Sequence, residues 1–120
     1  MQKTTKQKGD KGELIAIKYL KSKGYDILDT NFKFGRFGEV DIIAEKEEFI
    51  YFFEVKYREN KKFGEPEESI TKNKLQKFRQ TIEFYVLKNN LDFEKIKFEV
   101  ITILKEEKSY KLKHYKNLEI

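Results

Sequence analysis

The 120-residue chain contains no cysteine, one proline and one histidine. Without cysteine there is no disulfide framework, no thiolate metal site and no cysteine nucleophile. The one histidine, His114, falls late in the chain on an expected edge strand with no acid close to it in sequence. Histidine-based acid–base catalysis is therefore not indicated, and a structural or surface place is expected for it. Ser69-Ile70-Thr71 has no triad partners and reads as the start of a helix. Long apolar runs are also missing: the longest, Phe49–Phe53, falls far short of the roughly 20 residues of a membrane helix. The basic N-terminus, Met1 to Lys6, runs into Gly9-Asp10-Lys11-Gly12 and not into an apolar stretch, so no targeting segment is visible. A soluble cytoplasmic protein with no membrane partner is the expectation.

Charge is what the chain has in excess. Charged residues make up 39 % of it, against about a quarter in an ordinary globular protein. The 26 basic side chains outnumber the 21 acidic ones, giving a net charge of +5. That balance favours a polyanionic partner such as nucleic acid, although a solvated Lys/Glu surface produces the same numbers. Hydrophobic residues at 38 % and aromatics at 15 % suffice for one core in one domain. We expect a flexible basic N-terminus over residues 1–8 and a single domain over 9–120.

Periodicity places the elements in the order α-β-β-β-α-β-β, an α/β class with a mixed central sheet flanked by helices. The first helix is expected from Gly9 or Asp10 to Lys23, with Ala16, Ile17 and Leu20 inward and Gly24 as its C-terminal cap. Strands follow over 25–31, 39–45 and 49–58. The segment Phe32 to Gly38 interleaves aromatics with Lys33 and Arg36, a composition that suits nucleic-acid contact. It is favoured, however, as a hairpin loop returning its phenylalanines to the core. A loop around Pro66 leads to a second helix over 71–88 with Leu75, Phe78, Ile82 and Tyr85/Val86 as its buried stripe. Strands over 97–104 and 110–115 complete the chain.

Asp41 and the run Glu54-Val55-Lys56 put charge inside strands otherwise built from Ile, Val, Phe and Tyr. With a two-residue turn at Glu47-Glu48, antiparallel pairing sets Lys46 opposite Phe49, Asp41 opposite Glu54 and Glu39 opposite Lys56. Period-two alternation then gathers these last four on one face beside Ile43 and Phe52. A three-residue turn would undo this facing. Opposed like charges destabilise a sheet, so the Asp41–Glu54 pair calls for a cation or for a raised pKa on one carboxyl. The charges cluster at one end of the strand pair, which favours a pocket over an open polar face. Glu13 starts on the inward side of the first helix; a first-turn glutamate favouring the helix dipole explains it equally well.

Asp followed on the next strand by Glu-x-Lys resembles the PD-(D/E)xK signature of restriction-endonuclease-like nucleases. The wider series is more specific: Gly12-Glu13, Ala16, Tyr19-Leu20, Gly24-Tyr25, Asn31, Gly38-Glu39-Val40-Asp41-Ile42-Ile43-Ala44 and Phe53-Glu54-Val55-Lys56-Tyr57-Arg58. Continued by Phe63-Gly64, Lys74 and Phe98-Glu99-Val100, it resembles the YraN family from about residue 9 to residue 115. One departure is Val40, which stands where the signature has proline. The resemblance implies a restriction-endonuclease-like core similar to archaeal Holliday-junction resolvases. It further implies Asp41, Glu54 and Glu13 as metal ligands and Lys56 as the catalytic lysine.

The chemistry so implied is Mg²⁺- or Mn²⁺-dependent hydrolysis of phosphodiester bonds, with DNA, branched DNA included, as the expected partner. Arg58, Lys74 and Arg36 are candidate phosphate contacts, and Glu39 a candidate acceptor behind the ligands. A homodimer would suit a junction-cutting enzyme. The alternative is a nucleic-acid-binding or partner-binding module that keeps a nuclease scaffold without turnover.

Overall fold

The computed structural model describes residues 5–36, 38–60 and 71–119. The expected loop at Phe63, Gly64 and Pro66 lies outside the described residues, as do Ser69, Ile70 and Phe37. Helix α1 (Thr5–Ser22) leads into strands β1 (Asp26–Phe34), β2 (Gly38–Lys46) and β3 (Phe49–Arg58). Helix α2 (Lys72–Lys88), a 3-10 turn at Phe93–Lys95, and strands β4 (Ile96–Lys105) and β5 (Tyr110–Leu118) complete the order α-β-β-β-α-β-β. The five strands form one sheet in the spatial order β1-β2-β3-β4-β5. Only β3 and β4 are parallel, joined through α2, and the sheet is therefore mixed, as expected.

The two helices cover opposite faces. Ala16 and Leu20 of α1 pack with Ile42, Ala44, Phe53, Tyr57, Ile101 and Ile103. Phe78, Ile82 and Val86 of α2 pack with Val40, Ile43, Ile50, Phe52, Phe98 and Val100. With both faces covered, central strand β4 is buried over most of its length, which is why it reads as a continuous apolar run. Among the described residues, no helix is long and apolar enough to cross a membrane.

Local signals account for most boundaries. Gly24, at φ +90°, ends α1 in a conformation other residues resist. The Thr71 hydroxyl caps α2 by accepting from the Lys74 backbone N–H at 3.3 Å. Three boundaries differ from expectation by three residues or more, one of them at β5, which runs on to Leu118 and not to 115. Helix α1 begins at Thr5, so that Gly9 and Gly12 lie inside it and residues 5–8 are helical. Gly12 is tolerated there because it lets α1 approach β3 closely: a Cβ added to it would lie 2.7 Å from the Tyr57 Cβ. Strand β1 runs on to Phe34 because its aromatics find α2. Phe34 stacks on Phe84 at 4.0 Å between centroids, and Phe32 meets Tyr85 edge-on at 4.9 Å. The rings do return to the protein, and Arg36 is left on an exposed turn.

Candidate functional site

The register that decides the site is the one expected. Lys46 pairs with Phe49 across the turn at Glu47-Glu48, and the ladder continues to Ile42 opposite Phe53. It stops one pair before Asp41 and Glu54. There the Asp41 side chain takes over from the backbone, its Oδ2 accepting the Val55 N–H at 2.8 Å. Strand β2 also loses its alternation at this point. Val40 packs on the α2 side, as does a Cβ built at Gly38, whereas Ile42 and Ala44 pack on the α1 side. Asp41 sits at the break, where a carboxylate replaces a strand carbonyl as acceptor.

This irregularity corrects the expectation of one charged face. Glu39, flanked by Gly38 and Val40 on the α2 side, turns toward α1 and accepts from Asn31 Nδ2 at 2.9 Å. The same amide nitrogen donates to Glu13 Oε1 at 2.8 Å. Glu54 and Lys56 are in phase with Ile50 and Phe52 along β3 and so point to the α2 side. Lys56 Nζ pairs with Glu54 Oε1 at 2.8 Å, and Lys74 of α2 stands close enough for the two ammonium groups to perturb each other. The site therefore straddles the sheet end, with Glu13 and Glu39 on the α1 side, Glu54, Lys56 and Lys74 on the α2 side, and Asp41 between them.

Electrostatics join the two sides. The Asp41 carboxyl is pushed up from 3.8 to about 8, first by burial and then by the Glu54 carboxylate, within hydrogen-bonding reach; the Val55 N–H opposes the shift. Burial likewise raises Glu13, with Asp41, Asp10 and Glu39 adding to it and the Asn31 hydrogen bond countering. For Lys56, burial pulls the ammonium down, but Glu54 outweighs it and leaves the pKa above its ordinary value. Lys74 is lowered by desolvation and by the neighbouring Lys56. The Asp41, Glu13 and Lys74 shifts are those of like charges brought together with too little water, and the Lys56 shift is that of an ammonium beside an opposite charge.

Asp41, Glu54 and Glu13 offer hard oxygen donors of the kind Mg²⁺ and Mn²⁺ prefer. Among the described residues, no three Asp, Glu or His side chains are already drawn into a cage for a metal ion. In their place a proton on Asp41 and the Lys56 ammonium offset the negative charge. A divalent cation would meet the same demand for positive charge. Arg58 donates from Nη1 to its neighbour's carbonyl, Tyr57 O, at 3.0 Å, while its charge is felt at Lys74. Arg36 lies on the β1–β2 turn, and among the described residues the hydrogen bonds and ion pair at the carboxylates are made by Asn31, Val55 and Lys56.

The Uncharacterised protein family UPF0102 profile matches residues 12–103, a span that includes Glu13, Asp41, Glu54, Lys56 and Lys74. The chain belongs to this family. A UPF0102 protein of Clostridioides difficile is 47 % identical over 103 residues, covering 86 % of this chain and 90 % of the relative. Another, of Flavobacterium psychrophilum, is 38 % identical over 109 residues, 91 % of this chain and 90 % of the relative. A third, of Alkaliphilus oremlandii, is 41 % identical over 114 residues, 93 % and 97 % of the two. UPF0102 is thus the YraN family that the ordered series of residues indicated.

Two features escaped the sequence reading. Asn31, noted only as part of the family pattern, bridges two carboxylates from a φ of +53°, a conformation asparagine tolerates better than most residues. His114 has the partner acid that sequence proximity did not supply. Its Nε2 lies 2.7 Å from Glu99 Oε1 on the adjacent strand, and its Nδ1 lies 2.8 Å from the Tyr19 hydroxyl. Glu99 Oε2 also accepts the Asn117 N–H at 3.0 Å. The histidine side chain is 6 % exposed, so its place is structural and interior, tying α1 to β4 and β5.

Proposed function

We propose that this protein is a divalent-metal-dependent endonuclease that hydrolyses phosphodiester bonds in DNA, branched DNA included. The observation that carries the reading is the meeting of Asp41, Glu54 and Lys56 where β2 and β3 separate, with Glu13 brought to the same place by α1. A fold gains nothing in stability from opposing carboxylates at a strand end. Such a constellation is retained where charge is used.

Asp41 and Glu54 would hold the cation, with Glu13 completing the set from α1. Mg²⁺ or Mn²⁺ bound there supplies charge stabilisation at a phosphoryl oxygen and a more acidic water. Val55 fixes the Asp41 carboxylate through its N–H, and Asn31 restrains Glu13, so two donors are oriented before anything binds. The Lys56 ammonium, 2.8 Å from Glu54 Oε1, would orient the attacking water or stabilise charge on the phosphoryl group. Lys74, next to Lys56, and Arg58 hold phosphate oxygens of the substrate.

The second reading, a nucleic-acid-binding module without turnover, draws on one feature: Glu54 already has Lys56 as its partner. Cleavage separates the two. Four-way-junction, flap, single-stranded and duplex DNA are incubated with Mg²⁺ or Mn²⁺ beside Asp41→Ala and Lys56→Ala proteins. Metal-dependent cutting lost in both variants establishes the nuclease. DNA binding without cutting in any metal moves the assignment to the binding module.

A further inference from the structure

Strand register places a block of cations beside the carboxylates. Lys56 pairs with Thr102 and Thr102 with Lys113; two residues further along β3, Arg58 pairs with Leu104 and Leu104 with Lys111. All six positions share one face of the sheet. Phe52 on β3, Val100 on β4 and Tyr115 on β5 pack on the α2 side, and residues in phase with them point the same way. The intervening Tyr57, Ile101, Ile103 and Leu112 pack on the α1 side. The α2-side face therefore changes character along the strands. Its row Glu54–Val100–Tyr115 carries a carboxylate, and the next two rows end in Lys56 and Lys113, then Arg58 and Lys111. Lys111 is exposed and Arg58 and Lys113 are half-buried, while Thr102 and Leu104 between the cations are buried. With strands about 4.8 Å apart and alternate residues about 6.6 Å apart, the block measures roughly 10 by 7 Å.

Lysines on an edge strand such as β5 also keep it from pairing with other chains. That role is met from either face of the sheet. It does not call for Lys111 and Lys113 in line with Arg58 and Lys56, where four positive charges repel one another. Phosphate groups relieve that repulsion. A single strand is held by aromatic rings as well as by cations, whereas the middle of this block is Thr102 and Leu104. Duplex DNA turns its phosphates outward and needs no ring. The block begins at Lys56, so a backbone held there continues from the phosphate at the carboxylates.

We propose that Lys111 and Lys113 are DNA-positioning residues: the duplex flanking the scissile phosphate lies across β4 and β5, with neighbouring backbone phosphates at the Lys56–Lys113 and Arg58–Lys111 rows. Contacts to phosphate fix position and carry no sequence information, so the duplex is bound without regard to sequence. The proposal rests on the nuclease reading for the position of the cut. Lys111 and Lys113 lie outside the carboxylate cluster, however, and their contacts are measured without metal.

Binding of a fluorescein-labelled 20-base-pair duplex is measured by anisotropy in EDTA over a range of salt. Lys111→Gln/Lys113→Gln should weaken binding at least fivefold. Its log–log salt slope should fall by about 1.8, about 0.9 for each lost phosphate contact on a duplex. Lys111→Arg/Lys113→Arg, which keeps both charges, should bind as wild type does. Lys18→Gln/Lys21→Gln removes the same charge from exposed positions on α1 and should stay within twofold of wild type. A second duplex of unrelated sequence should also bind within twofold. No duplex binding by wild type, an unchanged slope in the β5 glutamine variant, an equal loss in the α1 variant, or a tenfold preference between the two duplexes overturns the proposal. The Mg²⁺-induced thermal shift of wild type reports separately on the carboxylates. Its absence would count against the nuclease reading and leave the duplex-binding result standing.

Discussion

Replacing Asp41 with asparagine should stabilise the metal-free protein while removing its response to divalent cations. The Asp41 carboxyl titrates near 8 in the fold, against an ordinary 3.8, because it is buried beside Glu54. Between those two values the folded state holds a proton that the unfolded chain releases, so stability falls as pH rises through the window. At about 1.4 kcal/mol per pH unit, the interval from 3.8 to 7 sets a ceiling of about 4 kcal/mol. Water entry and side-chain relaxation raise the effective dielectric and bring the expected loss to about 1–2 kcal/mol. Asparagine keeps an oxygen for the Val55 N–H and turns an N–H toward Glu54. It is neutral at every pH.

The assay is the melting temperature of wild type and Asp41→Asn from pH 4 to pH 9 in EDTA, repeated with about 10 mM Mg²⁺. In EDTA the variant should melt higher at pH 8 by roughly 3–8 °C, given about 3–4 °C per kcal/mol for a domain of this size. The advantage should shrink to near zero at pH 4, close to the ordinary 3.8, where the unfolded chain also begins to hold the proton. Added Mg²⁺ should raise the wild-type melting temperature by mass action and leave the variant unmoved. A variant less stable than wild type at pH 8, or a difference independent of pH, would refute the electrostatic account of the site.

Three further changes test the surroundings. Asn31→Asp removes the hydrogen bonds to Glu13 and Glu39 and adds a carboxylate; urea denaturation in EDTA should show a loss of about 1–2 kcal/mol, partly restored by Mn²⁺. Gly12→Ala gains about 1 kcal/mol of helix propensity, but its Cβ meets the Tyr57 Cβ at 2.7 Å and overpacking costs about 1–3 kcal/mol, so denaturation should show a net loss of about 1 kcal/mol. Glu99→Ala leaves His114 Nε2 and the Asn117 N–H without their partner and should cost about 1–3 kcal/mol while leaving the Mg²⁺-induced thermal shift as in wild type.

Those perturbations follow residues of unequal visibility. The fold was legible because its signals are local. Gly24 closes a helix, a stripe of Leu75, Phe78, Ile82 and Val86 marks α2, and two glutamates between apolar runs fix the β2–β3 turn. The register followed from turn length alone, and the observed pairing from Lys46–Phe49 to Ile42–Phe53 matches it. Boundaries slipped where tertiary contact overrode local preference. Gly9 and Gly12 suggested a late helix start, yet close approach to Tyr57 gives Gly12 a place inside α1. Phe32 and Phe34 suggested a loop, yet Phe84 and Tyr85 recruited them into β1.

The site was legible only as far as strands stay regular. Alternation correctly brought Asp41 toward Glu54, because that inference needs only the turn and one more pair. It failed for Glu39, because a strand that loses its alternation at Asp41 sends the residues before the break to the opposite face. No pattern in residues 38–44 announces the break: Glu-Val-Asp-Ile-Ile reads as an ordinary strand with two charges. The cause lies in the partner strands. Asn31 adopts a left-handed conformation and draws Glu39 to the α1 side, and the Val55 N–H finds a carboxylate where a carbonyl would stand. The irregularity is also what lets groups from both faces of the sheet meet at one point. A regular β2 would leave Glu13 on one face and Glu54 on the other, with a closed ladder between them. Sequence periodicity is blind at the step that joins the two halves of the site, and Asn31 is the residue through which that step can be tested.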